Sequence, residues 1–331
     1  MQNKTILNSI IEKIKTSKSS IVFSHQNPDG DTLGSMLALG ALLKKLGHIV
    51  DHVISDPVPE IYKFLPYTDL VKTPDDPLIN QKHDLAFSLD CGSLKRLGKA
   101  KDIWLKAGTT INIDHHISNE NFGKINFIEA DAVSTGQVVY EVAKALNIKI
   151  TKEVATLLYT TLLTDTGCFS NSKTNASALI WGAELINLGA DHENIYRKAF
   201  LEKPYKAIKL FGCALSDINS LENGQVLWTV VKKDLMKSFS ATGEDTEDIV
   251  DYMMRTKGVQ VGVFFREDNA ETKVSLRSNT DKIDVSEIAM SMGGGGHTKA
   301  AGINIKKPFL EIKDLILEKI ISELKNKNGK F

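Results

Sequence analysis

Ile21-Val22-Phe23-Ser24-His25-Gln26-Asn27-Pro28-Asp29-Gly30-Asp31 is the stretch that decides the fold. Its first four residues form a short apolar strand, and Asn27-Pro28-Asp29-Gly30 is rich in turn formers. Residues 31–46 then carry Leu33, Met36, Leu37, Leu39, Leu42, Leu43 and Leu46 at helical spacing, with Gly47 as the stop. Residues 49–54 read as the next strand. Outward from this strand–helix–strand unit, residues 85–89 and 110–113 are further buried-strand candidates, and residues 134–146 and 152–163 are helices. The alternation predicts an α/β domain: a mostly parallel sheet with helices on both faces.

The second half has a different grain. Residues 226–231 are β-rich and residues 246–256 helical. Residues 259–265 and 272–277 read as two strands around a turn at Glu267-Asp268-Asn269. A short helix over 286–292 runs into a loop, Gly293-Gly294-Gly295-Gly296, followed by a strand over 301–305 and a helix over 309–324. This is a smaller α+β domain. The expected organisation is a catalytic domain over 1–193, a helical connector over 194–223 and a second domain over 224–331, with the active site in the cleft between domains. The polar tail, 325–331, is expected to fray.

Composition narrows the function. Lys+Arg and Asp+Glu both total 41, so the formal net charge is zero and a bulk electrostatic grip on long double-stranded nucleic acid is not indicated. A local basic groove for a short anionic ligand is compatible with a neutral sum. The three cysteines, Cys91, Cys168 and Cys213, form no C-x-x-C pair, and their odd count argues against a disulfide framework. The N-terminus mixes lysines with scattered apolar residues and lacks a leader's apolar run. No stretch reaches membrane-spanning length. A cytoplasmic protein with no membrane partner is expected.

The chemistry lies in where acids and histidines fall. His25, Asp29 and Asp31 follow the first strand; Asp90 ends Leu85-Ala86-Phe87-Ser88-Leu89; Asp114-His115-His116 ends Ile111-Asn112-Ile113; Asp165 ends the apolar pattern at Leu162-Leu163-Thr164. Alone, Asn-Pro-Asp-Gly is a turn signal and a strand-end Asp is a helix cap. Their co-occurrence at several strand ends points to a site, because crevices in open α/β sheets lie beyond the carboxyl ends of strands. The candidate ligands are His25, Asp29, Asp31, Asp90, His115 and Asp165. Neighbouring strand positions point opposite ways, so one of His115 and His116 binds and the other serves another purpose. Four carboxylates this close need cations, and mixed carboxylate–imidazole ligation suits Mn²⁺, Mg²⁺, Fe²⁺ or Co²⁺. Two ions sharing a carboxylate would activate a water for phosphoryl chemistry, and Asp90, alone on its strand end, is the natural bridge.

Asp114-His115-His116 with His25-x-x-Pro28-Asp29-x-Asp31 resembles the DHH phosphoesterase family. Leu89-Asp90, Leu163-Thr164-Asp165-Thr166-Gly167 and Gly293-Gly294-Gly295-Gly296-His297 extend the resemblance over nearly the whole chain. It implies one metal on His25, Asp29 and Asp90, a second on Asp31, Asp90, His115 and Asp165, catalytic roles for Asp90 and His116 with His116 facing the substrate phosphate, and Mn²⁺ as the usual ion. The glycine loop resembles the DHH-associated domain of the oligoribonuclease and pAp phosphatase branch. There Gly294, Gly295, Gly296 and His297 would contact substrate, with Arg277 on a phosphate and Arg96 reaching in. Many members of this branch carry Glu after Ser/Thr-Gly, where this chain has Gln137. The implied substrates are short RNA of a few nucleotides, pApA, or pAp. A stand-alone cyclic-dinucleotide phosphodiesterase acting on c-di-AMP and a non-catalytic nucleotide sensor are the alternatives. A homodimer is left open.

Overall fold

The computed structural model describes residues 2–79, 82–268 and 271–328, which divide into two compact units, Met1–Glu202 and Lys203–Phe331. The first unit begins with α1 (Gln2–Thr16), β1 (Ser19–Phe23), α2 (Gly30–Lys45), β2 (Ile49–Val53), β3 (Val71–Lys72) and β4 (Leu85–Leu89). It continues with α3 (Lys101–Lys106), β5 (Thr109–Asp114), β6 (Ile125–Ile128), α4 (Thr135–Ala145), α5 (Lys152–Asp165), α6 (Ala176–Asn187) and α7 (His192–Tyr196). The strands lie in the order β3-β2-β1-β4-β5-β6, and every neighbouring pair is parallel.

Alternating side chains serve two cores, one on each face. Val22, Phe87, Leu89 and Ile113 pack with Leu33, Leu37 and Leu157 on the face of α2 and α5. Ile21, Phe23, Val53 and Ala86 pack with Leu97, Ala100 and Trp104 on the other. Burial on both faces is why β4, buried at every position, reads as a continuous apolar run. Helices α2 and α5 approach closely at Gly34, where a Cβ would stand 2.6 Å from the Thr161 methyl and 2.7 Å from the Leu157 carbonyl.

Strand order reverses between β1 and β4, since β2 and β3 step away on one side of β1 while β4, β5 and β6 proceed on the other. Such a switch point opens a crevice beyond the strands' carboxyl ends. His25 lies two residues past β1 and Asp90 directly follows β4, so the reversal delivers both to that crevice.

The second unit contains α8 (Tyr205–Ser216), β7 (Asn219–Leu221), β8 (Val226–Val231), α9 (Lys233–Ser238), α10 (Ile249–Met253), β9 (Val261–Asp268) and β10 (Glu271–Ser278). After these come α11 (Val285–Met290), β11 (Gly295–His297), β12 (Ala300–Ile305) and α12 (Phe309–Asn328). Its sheet runs β11-β12-β10-β9-β8-β7, antiparallel except for the β8–β9 pair. Val263, Phe265 and Leu276 pack under Ile312, Ile316 and Ile320 of α12, while Leu227 and Phe264 pack with Leu210, Ile249 and Met253.

The two expected classes, a parallel α/β sheet covered on both faces and a smaller α+β unit, are what the chain forms. Details differ. Helix α1 and strand β6 were not anticipated, and the expected connector 194–223 is divided between the units at Glu202. Part of the expected glycine loop is strand β11. Helix α12 continues to Asn328, so most of the expected frayed tail is helical. Asn269 of the expected turn and residues 329–331 lie outside the described residues. No described helix is long and apolar enough to cross a membrane.

Candidate metal centre

Three backbone devices aim the acids. Asp29 caps α2, its Oδ1 accepting the Thr32 N–H at 3.0 Å, which leaves Oδ2 3.9 Å from His25 Nε2. Asp31, fully buried in the first turn of α2, accepts the N–H groups of Thr135 at 2.8 Å and Gly136 at 3.1 Å. Those donors are the free amides at the N-terminus of α4, a natural anion seat. Asp90 adopts a left-handed backbone, φ +56°, a conformation that Asp tolerates better than most residues. Its N–H still donates to the Ile113 carbonyl at 3.0 Å, so the chain turns out of β4 while tied to β5.

The histidines are oriented from behind. His25 Nδ1 lies 2.7 Å from the Gln26 carbonyl and His115 Nδ1 3.1 Å from the Ala132 carbonyl. A carbonyl only accepts, so each ring donates from Nδ1 and turns Nε2, the atom that can ligate a metal, to the crevice. His25 Nε2 faces Asp90 Oδ2 at 3.4 Å. His115 Nε2 faces Asp90 Oδ1 at 3.7 Å, Asp31 Oδ2 at 3.7 Å and Asp165 Oδ2 at 3.0 Å. Imidazole nitrogens and carboxylate oxygens converging in this way form a mixed donor set that fits divalent metal. The ligand atoms of His25, Asp29 and Asp90 lie within 4.8 Å of one another, as do those of Asp31, His115 and Asp165. Burial, then the neighbouring Asp90 and Asp165 charges, pushes the Asp31 carboxyl well above the carboxylate range, as expected of an acid cluster that calls for cations. Asp165 ends α5, where the helix dipole disfavours an anion, a placement that structure alone does not reward.

His116 is set differently. Its Nδ1 bonds Asp114 Oδ1 at 2.7 Å and its side chain is 41% exposed. Asp114 is fully buried and also accepts the His115 and His116 backbone N–H groups and the Asn119 amide. Burial pushes the Asp114 carboxyl up, but the bonds from His116 and Asn119 outweigh it and hold it below its ordinary value. The same bond raises His116 above the usual histidine range.

One supporting residue was not foreseen from sequence. The Thr135 hydroxyl donates to Asp90 Oδ1 at 2.9 Å, tying α4 to the acid that faces both histidines. Ser134 caps α4, and Gln137 Oε1 accepts the Val133 N–H at 2.8 Å. Gln137 therefore supplies the acceptor that a glutamate would supply there.

A family model described as the DHH family, N-terminal domain, matches residues 19–162, and one described as the DHHA1 domain matches residues 223–326. The bifunctional oligoribonuclease and PAP phosphatase NrnA of Thermus thermophilus is 30% identical over 317 residues, 95% of this chain and 93% of that one. The chain belongs to the DHH family. A solved structure, that of an exopolyphosphatase-related protein from Bacteroides fragilis, is 27% identical with a TM-score of 0.89, covering 98% of this chain and 97% of that one. RecJ of Thermus thermophilus in complex with Mn²⁺ shares the fold at 13% identity and a TM-score of 0.51, covering 99% of this chain and 55% of that one.

The remaining expected contacts of this DHH-family chain are less uniform. Arg96 is exposed, and its carbonyl accepts the Gln26 N–H at 2.8 Å, so it borders the His25 turn. His297 is exposed on β11. The glycines do not form a free anion cradle throughout: the Gly293 N–H donates to Met290 O and the Gly294 N–H to Ala289 O, closing α11. Gly295 and Gly296 pair with Gly302 and Ala301 in the β11–β12 hairpin. At Gly296, φ is +148° and a Cβ would meet the Ala300 carbonyl at 2.5 Å, so the hairpin itself requires glycine there. Arg277 already grips a carboxylate: Nε and Nη2 donate to Asp251 at 2.7 and 3.2 Å.

Proposed function

We propose that this chain hydrolyses short oligoribonucleotides such as pApA to mononucleotides, and pAp to AMP and phosphate, with two Mn²⁺ ions in the site. As a DHH-family hydrolase it acts on phosphoester bonds. The observation that carries the reading is Asp90, which turns one carboxylate oxygen to each of two separate ligand groups. The Thermus relative, similar along nearly its whole length, is named for both activities and supports the substrate assignment.

In this reading His25, Asp29 and Asp90 hold one ion, and Asp31, Asp90, His115 and Asp165 hold the other. The ions, when bound, supply positive charge for the phosphate and acidify water toward neutrality. The chain does the positioning. Asp90 sets the spacing between the two ligand groups, and Thr135 fixes the Asp90 rotamer. His116, held at Nδ1 by Asp114, turns its other nitrogen outward to donate to a phosphoryl oxygen as charge develops there.

A substrate panel tests this. With Mn²⁺, the dinucleotide pApA and pAp are expected to release AMP, a long single-stranded RNA is expected to survive, and chelator is expected to stop turnover. Faster turnover of c-di-AMP than of pApA would move the substrate assignment. Turnover of none of these would overturn the enzymatic reading.

A further inference from the structure

Beside the metal centre, on the first unit, a cavity of about 520 Å³ is lined by His116, Ile117, Ser172, Lys173 and Asn175, among others. That is room enough for part of a nucleotide. Ile117, immediately after His116, is 89% exposed and forms an apolar wall. Lys173 is the one lysine or arginine among the described residues of this lining. Its Nζ sits 2.8 Å from Asp165 Oδ2, the same oxygen that faces His115 Nε2 at 3.0 Å.

We infer that Lys173 is a substrate-binding cation that shares Asp165 with the metal. An ion held by Asp165 Oδ2 and His115 Nε2 competes with the Lys173 ammonium for one oxygen and repels it. The backbone does not move with it. The Lys173 N–H is fixed on Asn171 Oδ1 at 3.0 Å, and Asn171 Nδ2 is fixed on the Asp165 carbonyl at 2.9 Å. The side chain, 45% exposed, is free to turn about that anchor into the cavity beside His116. There it pairs with a phosphate of the nucleotide whose ester is being cleaved, while the sugar and base rest against Ile117. Metal loading and phosphate capture are thereby coupled: the ion that enters the site releases the lysine that holds the substrate. This inference rests on the two-ion phosphoesterase reading.

The test combines Mn²⁺ binding, followed by the EPR signal of free Mn²⁺, with steady-state kinetics on pApA. Lys173→Gln is expected to bind Mn²⁺ about two- to fivefold more tightly, because a competing partly exposed ion pair is gone. It is also expected to raise KM about tenfold or more, as loss of a charge-assisted phosphate contact does, with kcat little changed. Lys173→Arg is expected to restore most of the KM. Weaker Mn²⁺ binding in K173Q would make the lysine a mere support for Asp165 and overturn the inference. So would an unchanged KM in a variant whose circular dichroism and melting match the parent. Wild-type protein that neither binds Mn²⁺ nor turns over pApA would instead overturn the underlying two-ion reading, and the inference with it.

Discussion

Asp90 presents Oδ2 to His25 Nε2 at 3.4 Å and Oδ1 to His115 Nε2 at 3.7 Å, while each ring is anchored from behind through Nδ1. One carboxylate therefore joins two ligand groups that come from different strands. Asp90→Asn keeps the shape but removes the charge. Activity on pApA is expected to fall on the order of a thousandfold, since in the proposed two-ion reading charge stabilisation at the phosphoryl group depends on both ions. A loss of less than about tenfold in a steady-state assay would count against the shared role.

Thr135 acts one step behind. Its hydroxyl holds Asp90 Oδ1 at 2.9 Å while its N–H holds Asp31 Oδ2 at 2.8 Å. Thr135→Val retains the backbone donor and the side-chain volume and deletes only the hydroxyl. Mn²⁺ affinity or kcat is expected to drop about ten- to a hundredfold, the usual effect of removing a partner of a metal ligand. Melting temperature should change little. Unchanged kinetics would show that the hydroxyl only fills a buried space.

Much of this centre was legible in the sequence, and the reason is geometric. A parallel sheet gathers its carboxyl strand ends along one edge, so His25, Asp90 and His115 could be brought together from strand spacing alone. Thr135 could not, because its contact depends on how the N-terminus of α4 meets α2 across the core. Lys173 depends likewise on the fold of the loop after α5. Helix α1 shows a narrow stripe, with Ile10 and Ile14 buried in a lysine-bearing segment, which reads weakly against its polar neighbours. The glycine run reads in sequence as a loop throughout, and part of it is strand β11. Composition does not report strand pairing, and Gly295 and Gly296 pair with Gly302 and Ala301.

The Asp114–His116 bond sets a pH dependence. It raises His116 above the ordinary histidine range, so the protonated donor form persists to higher pH and activity falls as pH rises through that raised value. Asp114→Asn removes the negative acceptor. The basic limb of the kcat/KM profile is expected to move toward lower pH. A limb that stays in place, or moves up, would remove His116 from the role of proton-bearing donor.

Stability should carry its own pH signature at His52. Its ring is buried against the backbone of Gly40, and neither nitrogen has a hydrogen-bond partner among the described residues. Burial, then the nearby Lys44 charge, lowers its pKa from 6.5 to about 4. The unfolded chain takes up this proton below 6.5 while the folded chain refuses it. The contribution is thus fully present above 6.5 and is lost as pH falls toward 4, by about 3 kcal/mol in order of magnitude. Denaturant melts of wild type and His52→Leu across this range check it: the difference between them should narrow or reverse as pH falls. A difference independent of pH would contradict the buried neutral ring.

The most direct test of the central claim is the count and coupling of bound Mn²⁺. Equilibrium dialysis with metal analysis, together with EPR of the loaded protein, should find two ions per wild-type chain with the signature of an exchange-coupled pair. Asp90→Asn should lose that coupling and at least one of the ions. A single uncoupled ion in wild type, or an Asp90→Asn protein that keeps a coupled pair, would contradict a centre bridged by Asp90.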